Sequence, residues 1–230
     1  MLKGAYTYSV ARNMTDEDGW VGLTWNHPMV YDKNYSYASF DRRHVFQMGF
    51  AYELPFLKQS TTTTADILGG WQLNGVFAYY TGTPFSIGGT NNAMNCQGCG
   101  AVYINVQGDP QPLGTVSLNQ KWYDTTLFSQ PPATTDLAGW GNSLRNQFRR
   151  PPVWNLDLSL FKGFQVGRAR PELRIEMSNI LNHVNWGSPV TGFTANNFMQ
   201  FTPGSTTQTS TVSGDIPGPR TIRIGVRVAF

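Results

Sequence analysis

The sequence predicts an all-β protein, an antiparallel up-and-down meander of about six strands, and three observations carry that prediction. The terminal RTIRIGVRVAF places Ile222, Ile224, Val226, Val228 and Phe230 on one parity and Thr221, Arg223, Gly225, Arg227 and Ala229 on the other. Period two with two unlike faces is the pattern of a strand between different solvents. The same alternation recurs along the chain. No run approaches the roughly eighteen apolar residues that a membrane-spanning helix needs, so any contact with lipid falls to strands or a surface helix.

The elements follow in order. LKGAYTYSV sets Leu2, Tyr6, Tyr8 and Val10 against Lys3, Thr7 and Ser9. In RRHVFQMGFAYELPF, Phe46, Met48, Phe50, Tyr52 and Leu54 oppose Val45, Gln47, Gly49, Ala51 and Glu53. WQLNGVFAYY sets Trp71, Leu73, Phe77 and Tyr79 against Gln72, Asn74 and Ala78, and WNLDLSLF sets Trp154, Leu156, Leu158 and Leu160 against Asn155, Asp157 and Ser159. Residues 171–184 are ambiguous: Leu173, Met177, Ile180, Leu181 and Val184 fit a helical face after Pro171, while Leu173, Ile175 and Met177 also alternate with Glu172, Arg174, Glu176 and Ser178. The strand reading is preferred, since a lone helix would interrupt pairing between sequential strands.

Composition narrows the class. The chain of 230 residues reads as one domain, residues 1–230. Charged residues make up 13%, about half of the roughly 25% usual in soluble domains, and aromatics also reach 13%, which suits a surface that meets lipid. A net charge of +3 without a Lys/Arg stripe argues against nucleic acid. Met1 leads straight into a strand with no export signal, so the chain reads as a piece of something longer, its N-terminal strands missing.

Connection lengths and ring positions give direction. Outer-membrane barrels join strands by short periplasmic turns and long outer loops. If Phe230 is periplasmic, the connections around Leu57 to Gly69 and Gly163 to Ala169 fall on that side, and the much longer ones around Asn13 to Phe40, Thr83 to Arg150 and Gly187 to Pro219 fall outside. Phe56, Trp71, Phe161, Phe164 and Phe230 then mark one interface and Tyr79, Tyr80, Trp154 and Trp186 the other. The pattern is that of a transmembrane β-barrel with long outer loops, in a bacterial outer membrane.

The stretches AYTYSVARN, SFDRRHVFQMGFAYELPF, GGWQLNGVFAYYTGTPFSI, WGNSLRNQFRRPPVWNLDLSLFKGF, RIEMSNILNHVNWG and RTIRIGVRVAF together resemble the C-terminal part of the barrel of TonB-dependent outer-membrane receptors. The nearest likeness is to the group with a carboxypeptidase-regulatory-like N-terminal domain. The resemblance implies ligand uptake driven by an inner-membrane TonB motor. It also implies as partners a plug, the remainder of the barrel, and outer-membrane lipid with its lipopolysaccharide. Such barrels have about 22 strands, so this chain is not expected to transport by itself. Phe230 would be the terminal aromatic read by the barrel-assembly machinery. Two rivals remain: a small self-contained porin or adhesin barrel, and a soluble carbohydrate-binding sandwich.

Site chemistry is sparse. His27, His44 and His183 are far apart in the sequence, and no nucleophile elbow or phosphate-cradling loop is present, so neither catalysis, a cofactor nor a metal is expected. Cys96 and Cys99 in NCQGCG fit an inert or disulfide-closed loop better than half a metal site. Arg42, Arg43, Arg149, Arg150 and Arg220 precede strands that descend from the outer surface, which suggests a rim gripping lipopolysaccharide phosphates. The weak candidates for ligand contact are Trp122, Tyr123 and Trp140, read as exposed aromatics in the longest outer segment together with Asn91, Asn92, Asn95 and Gln97.

Overall fold

The computed structural model describes residues 1–16, 23, 25–55, 69–91, 93, 102–165, 167–203 and 218–229. Six strands form one sheet: β1 (Leu2–Tyr8), β2 (His44–Glu53), β3 (Trp71–Tyr80), β4 (Val153–Gly163), β5 (Arg170–Ser178) and β6 (Thr221–Ala229). They are hydrogen-bonded in sequence order, each antiparallel to the next. The expected meander is therefore observed.

Register joins the separate alternations into two continuous faces, because residues directly opposite across a ladder share a face. Tyr6 lies opposite Phe46, Phe46 opposite Tyr79 and Tyr79 opposite Trp154. Leu160 faces Ile175, which faces Ile224. The reverse face is largely polar: Gln47 beside Ala78, Ala78 beside Asn155, and Glu176 beside Arg223. A one-residue slip at any strand would bury a polar row in the apolar face, so the pattern enforces this register.

No second sheet covers the apolar face among the described residues, although His183 stacks on Trp154 at its cap end, centroids 3.9 Å apart. Ile222, Ile224, Val226 and Val228 are 55, 72, 68 and 46% exposed. A soluble sandwich needs a second sheet over these side chains, and the described residues form none there. Strand β1 pairs only with β2, and β6 only with β5, so both edges of the sheet lack a strand partner among the described residues.

Lys162 is the one charged residue in this apolar row, opposite Trp71 and Leu173. It sits next to the end of β4 and turns its Nζ to the Gly69 carbonyl, 5.2 Å from the Phe164 ring centroid. A lysine whose stem lies on an apolar surface while its head reaches the boundary behaves in this way.

Gly75 interrupts the apolar row of β3, and the Phe50 ring lies across it: a Cβ there would stand 2.4 Å from Phe50 Cε1 and 2.8 Å from Leu158 Cδ2. Aromatic cover of a strand glycine restores the packing that the missing side chain forfeits. Gly75→Ala is expected to push the ring aside and lower stability by about 1 kcal/mol. The check is a lower temperature of conversion from the folded to the unfolded band in detergent electrophoresis.

The ambiguous segment resolves into both a strand and a turn. β5 keeps period two up to Ser178, and the chain then turns at Asn179 and Asn182, both in the left-handed region (φ 50° each). Asparagine tolerates that conformation because its side chain bonds locally to the backbone. Asn179 donates to the carbonyls of His183 and Gly218 and accepts from the His183 N–H, closing the turn.

The connections sort by length to opposite ends of the sheet. Residues 9–43, 81–152 and 179–220 leave from one end, and residues 54–70 and 164–169 join strands at the other. The long ones fold together as a cap. Phe85, Ile87, Ile104, Trp122, Tyr123, Phe128 and Phe148 of the second connection bury themselves with Phe198, Met199 and Phe201 of the third. Trp25 and Val30 of the first pack with Val102, Tyr103 and Trp140 of the second. Short two-residue pairings brace the cap, such as Pro84–Phe85 with Phe148–Arg149, as do short 3-10 helices at Pro28–Asn34 and Leu137–Trp140.

Candidate functional site

The polar face and the foot of the cap carry the chemistry. On the face, Arg174 pairs with Glu172, Glu172 lies opposite Arg227, and Glu176 lies opposite Arg223. Opposite charges thus stand across from one another on neighbouring strands, and Arg174–Glu172 is the ion pair formed there among the described residues. Between β1 and β4 runs a groove of about 460 Å³, lined in part by Lys3, Gln47, Tyr80, Asn155 and Asp157. Tyr80 belongs to this face and not to an interfacial ring belt: Gln47 Nε2 donates to its hydroxyl at 2.7 Å. Trp186, also expected in a belt, packs against the cap core instead.

The expectation of exposed aromatics in the longest segment is corrected. Trp122, Tyr123 and Trp140 are 4, 2 and 1% exposed and belong to the cap core. A segment this long acquires order only by burying apolar area of its own, and rings with polar tips can do so while satisfying backbone groups. Trp122 Nε1 donates to the Arg149 carbonyl at 2.6 Å, the Tyr123 hydroxyl donates to the same oxygen at 3.2 Å, and the Arg149 N–H donates to that hydroxyl at 3.0 Å. Burial pushes the Tyr123 phenol above its ordinary pKa. Tyr123→Phe is expected to cost about 1 kcal/mol, read as a lower urea midpoint for cap tryptophan fluorescence. Asn91 is likewise structural, donating to the carbonyls of Thr134 and Gly139. Asn92, Asn95, Gln97, Cys96 and Cys99 lie outside the described residues, as do Phe56 and Phe230.

Of the five arginines expected at a rim, four gather where the cap meets the sheet. Arg43 donates to the Tyr37 hydroxyl, Arg149 pairs with the buried Asp41, and Arg150 donates to Thr83 Oγ1 at 2.6 Å. Arg42 lies over the Tyr80 ring, 4.9 Å from its centroid. Burial lowers the Arg150 pKa, helped by the charge of Arg42. Arg220 stands apart at the start of β6, exposed, its backbone N–H on Asn182. Sequence reading missed Arg12, Tyr37 and Asp41, which complete the group. They lie in an irregular connection with no periodicity to single them out.

An antiparallel sheet that is apolar on one face, polar on the other and capped at one end by every long connection is the wall of an outer-membrane barrel. The chain matches the family described as outer membrane beta barrel domain over residues 1–223, and it belongs to that family. Its place is accordingly the bacterial outer membrane. No curated protein and no solved structure matches it.

Proposed function

We propose that the chain forms the closing strands of a TonB-dependent outer-membrane receptor barrel, in the group with a carboxypeptidase-regulatory-like N-terminal domain. In this reading its roles are structural and not enzymatic: a lipid-facing wall, a polar lumen face and an outer cap. Transport needs the remaining strands, a plug and the inner-membrane motor. The observation that carries the reading is the pair of edges that lack a strand partner among the described residues, on a sheet with no second sheet over its apolar face there. In lipid, each unsatisfied backbone group costs several kcal/mol, so both edges call for further strands. The order of the resembling segments supports the receptor assignment.

The test is expression of the chain, fitted with an export signal, against a longer polypeptide that adds the upstream strands. The reading expects a heat-modifiable band in outer-membrane fractions only for the longer form. A folded, heat-modifiable species from the chain alone would replace this reading with the self-contained porin or adhesin.

A further inference from the structure

Three guanidinium groups surround one ring at the foot of the cap. The Cζ atoms of Arg12, Arg43 and Arg149 each lie 4.9 Å from the Tyr37 centroid. Arg12 and Arg43 both donate to the Tyr37 hydroxyl, Arg12 at 3.4 Å. Arg42 and Arg150 stand near enough to each other for their charges to interact. Among the described residues one carboxylate serves the three arginines around Tyr37: Asp41, committed to Arg149 and to the Ala11 N–H. Neither Arg12 nor Arg43 has a carboxylate partner there, and the buried Nε atoms of Arg43 and Arg150 have no hydrogen-bond partner.

Like charges drawn together from separate stretches of chain repel, and a bound anion reverses the sign of that interaction. Guanidinium forks match the oxygens of phosphate. The Arg12 hydrogen bond and the positive charges around it hold the Tyr37 phenol below its ordinary pKa, so the local field favours negative charge. Arg43 continues the parity of Val45 and Gln47, and Tyr80 beneath Arg42 lines the polar groove. The cluster therefore opens toward the polar side of the sheet.

We infer that Arg12, Arg43 and Arg149 around Tyr37 form an oxyanion site that takes a phosphate monoester approaching along the polar face. The site does not depend on which receptor class the barrel serves. Its phosphate comes either from a soluble phosphorylated solute or from a lipopolysaccharide headgroup.

The full-length polypeptide, isolated from outer membranes in detergent, is titrated at low ionic strength with inorganic phosphate and separately with lipid A, phosphorylated and dephosphorylated. Phosphate is expected to bind, and Arg12→Gln with Arg43→Gln together to weaken it at least ~10-fold, with Arg220→Gln as the silent control. Arg12 is exposed and makes one long hydrogen bond, so Arg12→Gln alone keeps the fold and still lowers affinity several-fold. Arg43→Lys is expected not to restore binding, since a point charge lacks the fork. Binding of phosphate alone assigns a soluble solute, and arginine-dependent preference for phosphorylated lipid A assigns the headgroup. Absence of binding to both, or binding indifferent to Arg12 and Arg43, overturns the site.

Discussion

Gly82→Ala is expected to unseat the second long connection from the sheet, lowering stability by about 3 kcal/mol or more. The backbone at Gly82 runs against the Arg150–Pro151 stretch that leads into β4. A Cβ there would lie 1.8 Å from the Arg150 carbonyl oxygen, 2.4 Å from its carbon and 2.6 Å from the Pro151 oxygen. The requirement is space and not a left-handed backbone, and the obstructing atoms are main chain, so no rotamer change relieves the clash. The same approach is held by the Arg150 N–H on the Thr83 carbonyl at 3.0 Å and by Arg149 Nη1 on the Gly82 carbonyl at 3.3 Å. Gly88 is the internal control, since a Cβ there meets nothing within 4 Å. Limited proteolysis and urea unfolding of both variants decide the matter: equal loss at the two positions would show that glycine flexibility, and not close approach, is what counts.

Arg145→Ala is expected to be of similar size, for an electrostatic reason. Arg145 is 4% exposed and ties the first connection to the second. Its Nη1 reaches Asp16 at 2.6 Å, its Nη2 reaches the Asn13 carbonyl at 2.7 Å and Asn13 Oδ1 at 2.6 Å, and its Nε reaches the Asn34 carbonyl at 3.1 Å. Removing one partner of a buried pair leaves the other charge uncompensated, at about 3–5 kcal/mol. The predicted outcome is protease cleavage within residues 9–43 and 81–152, while far-ultraviolet circular dichroism still reports the sheet. Arg145→Lys should recover little, because one ammonium cannot span four acceptors on three residues set around a fork. Protease resistance equal to the parent would mean that aromatic packing alone holds the cap.

The strands were legible because two solvents impose period two on them, and the shared parities define the register as well. Tyr6, Phe46, Tyr79 and Trp154 align in the structure on the parity they show in the sequence. Residues 171–184 were ambiguous because a strand and an asparagine-driven turn abut, and the apolar residues of both happen to mimic a helical face. The cap was not legible. Its core joins Trp25 to Tyr103 and Trp122 to Phe201, contacts between remote stretches that no local period announces, so its rings looked exposed. The arginines were visible by their position ahead of descending strands, but their convergence depends on Tyr37 and Asp41, whose roles exist only once the first connection folds back beneath the second.

The cap has a consequence for what stability means in this molecule. Its core is held by the expulsion of water, which urea weakens and heat changes along a curved profile. The exposed apolar rows of β1 and β6 gain nothing from water and answer instead to acyl-chain length and bilayer thickness. A single melting temperature therefore describes neither part. Changing the denaturant and changing the lipid are separate controls on one polypeptide, the first acting on the cap and the second on the strands.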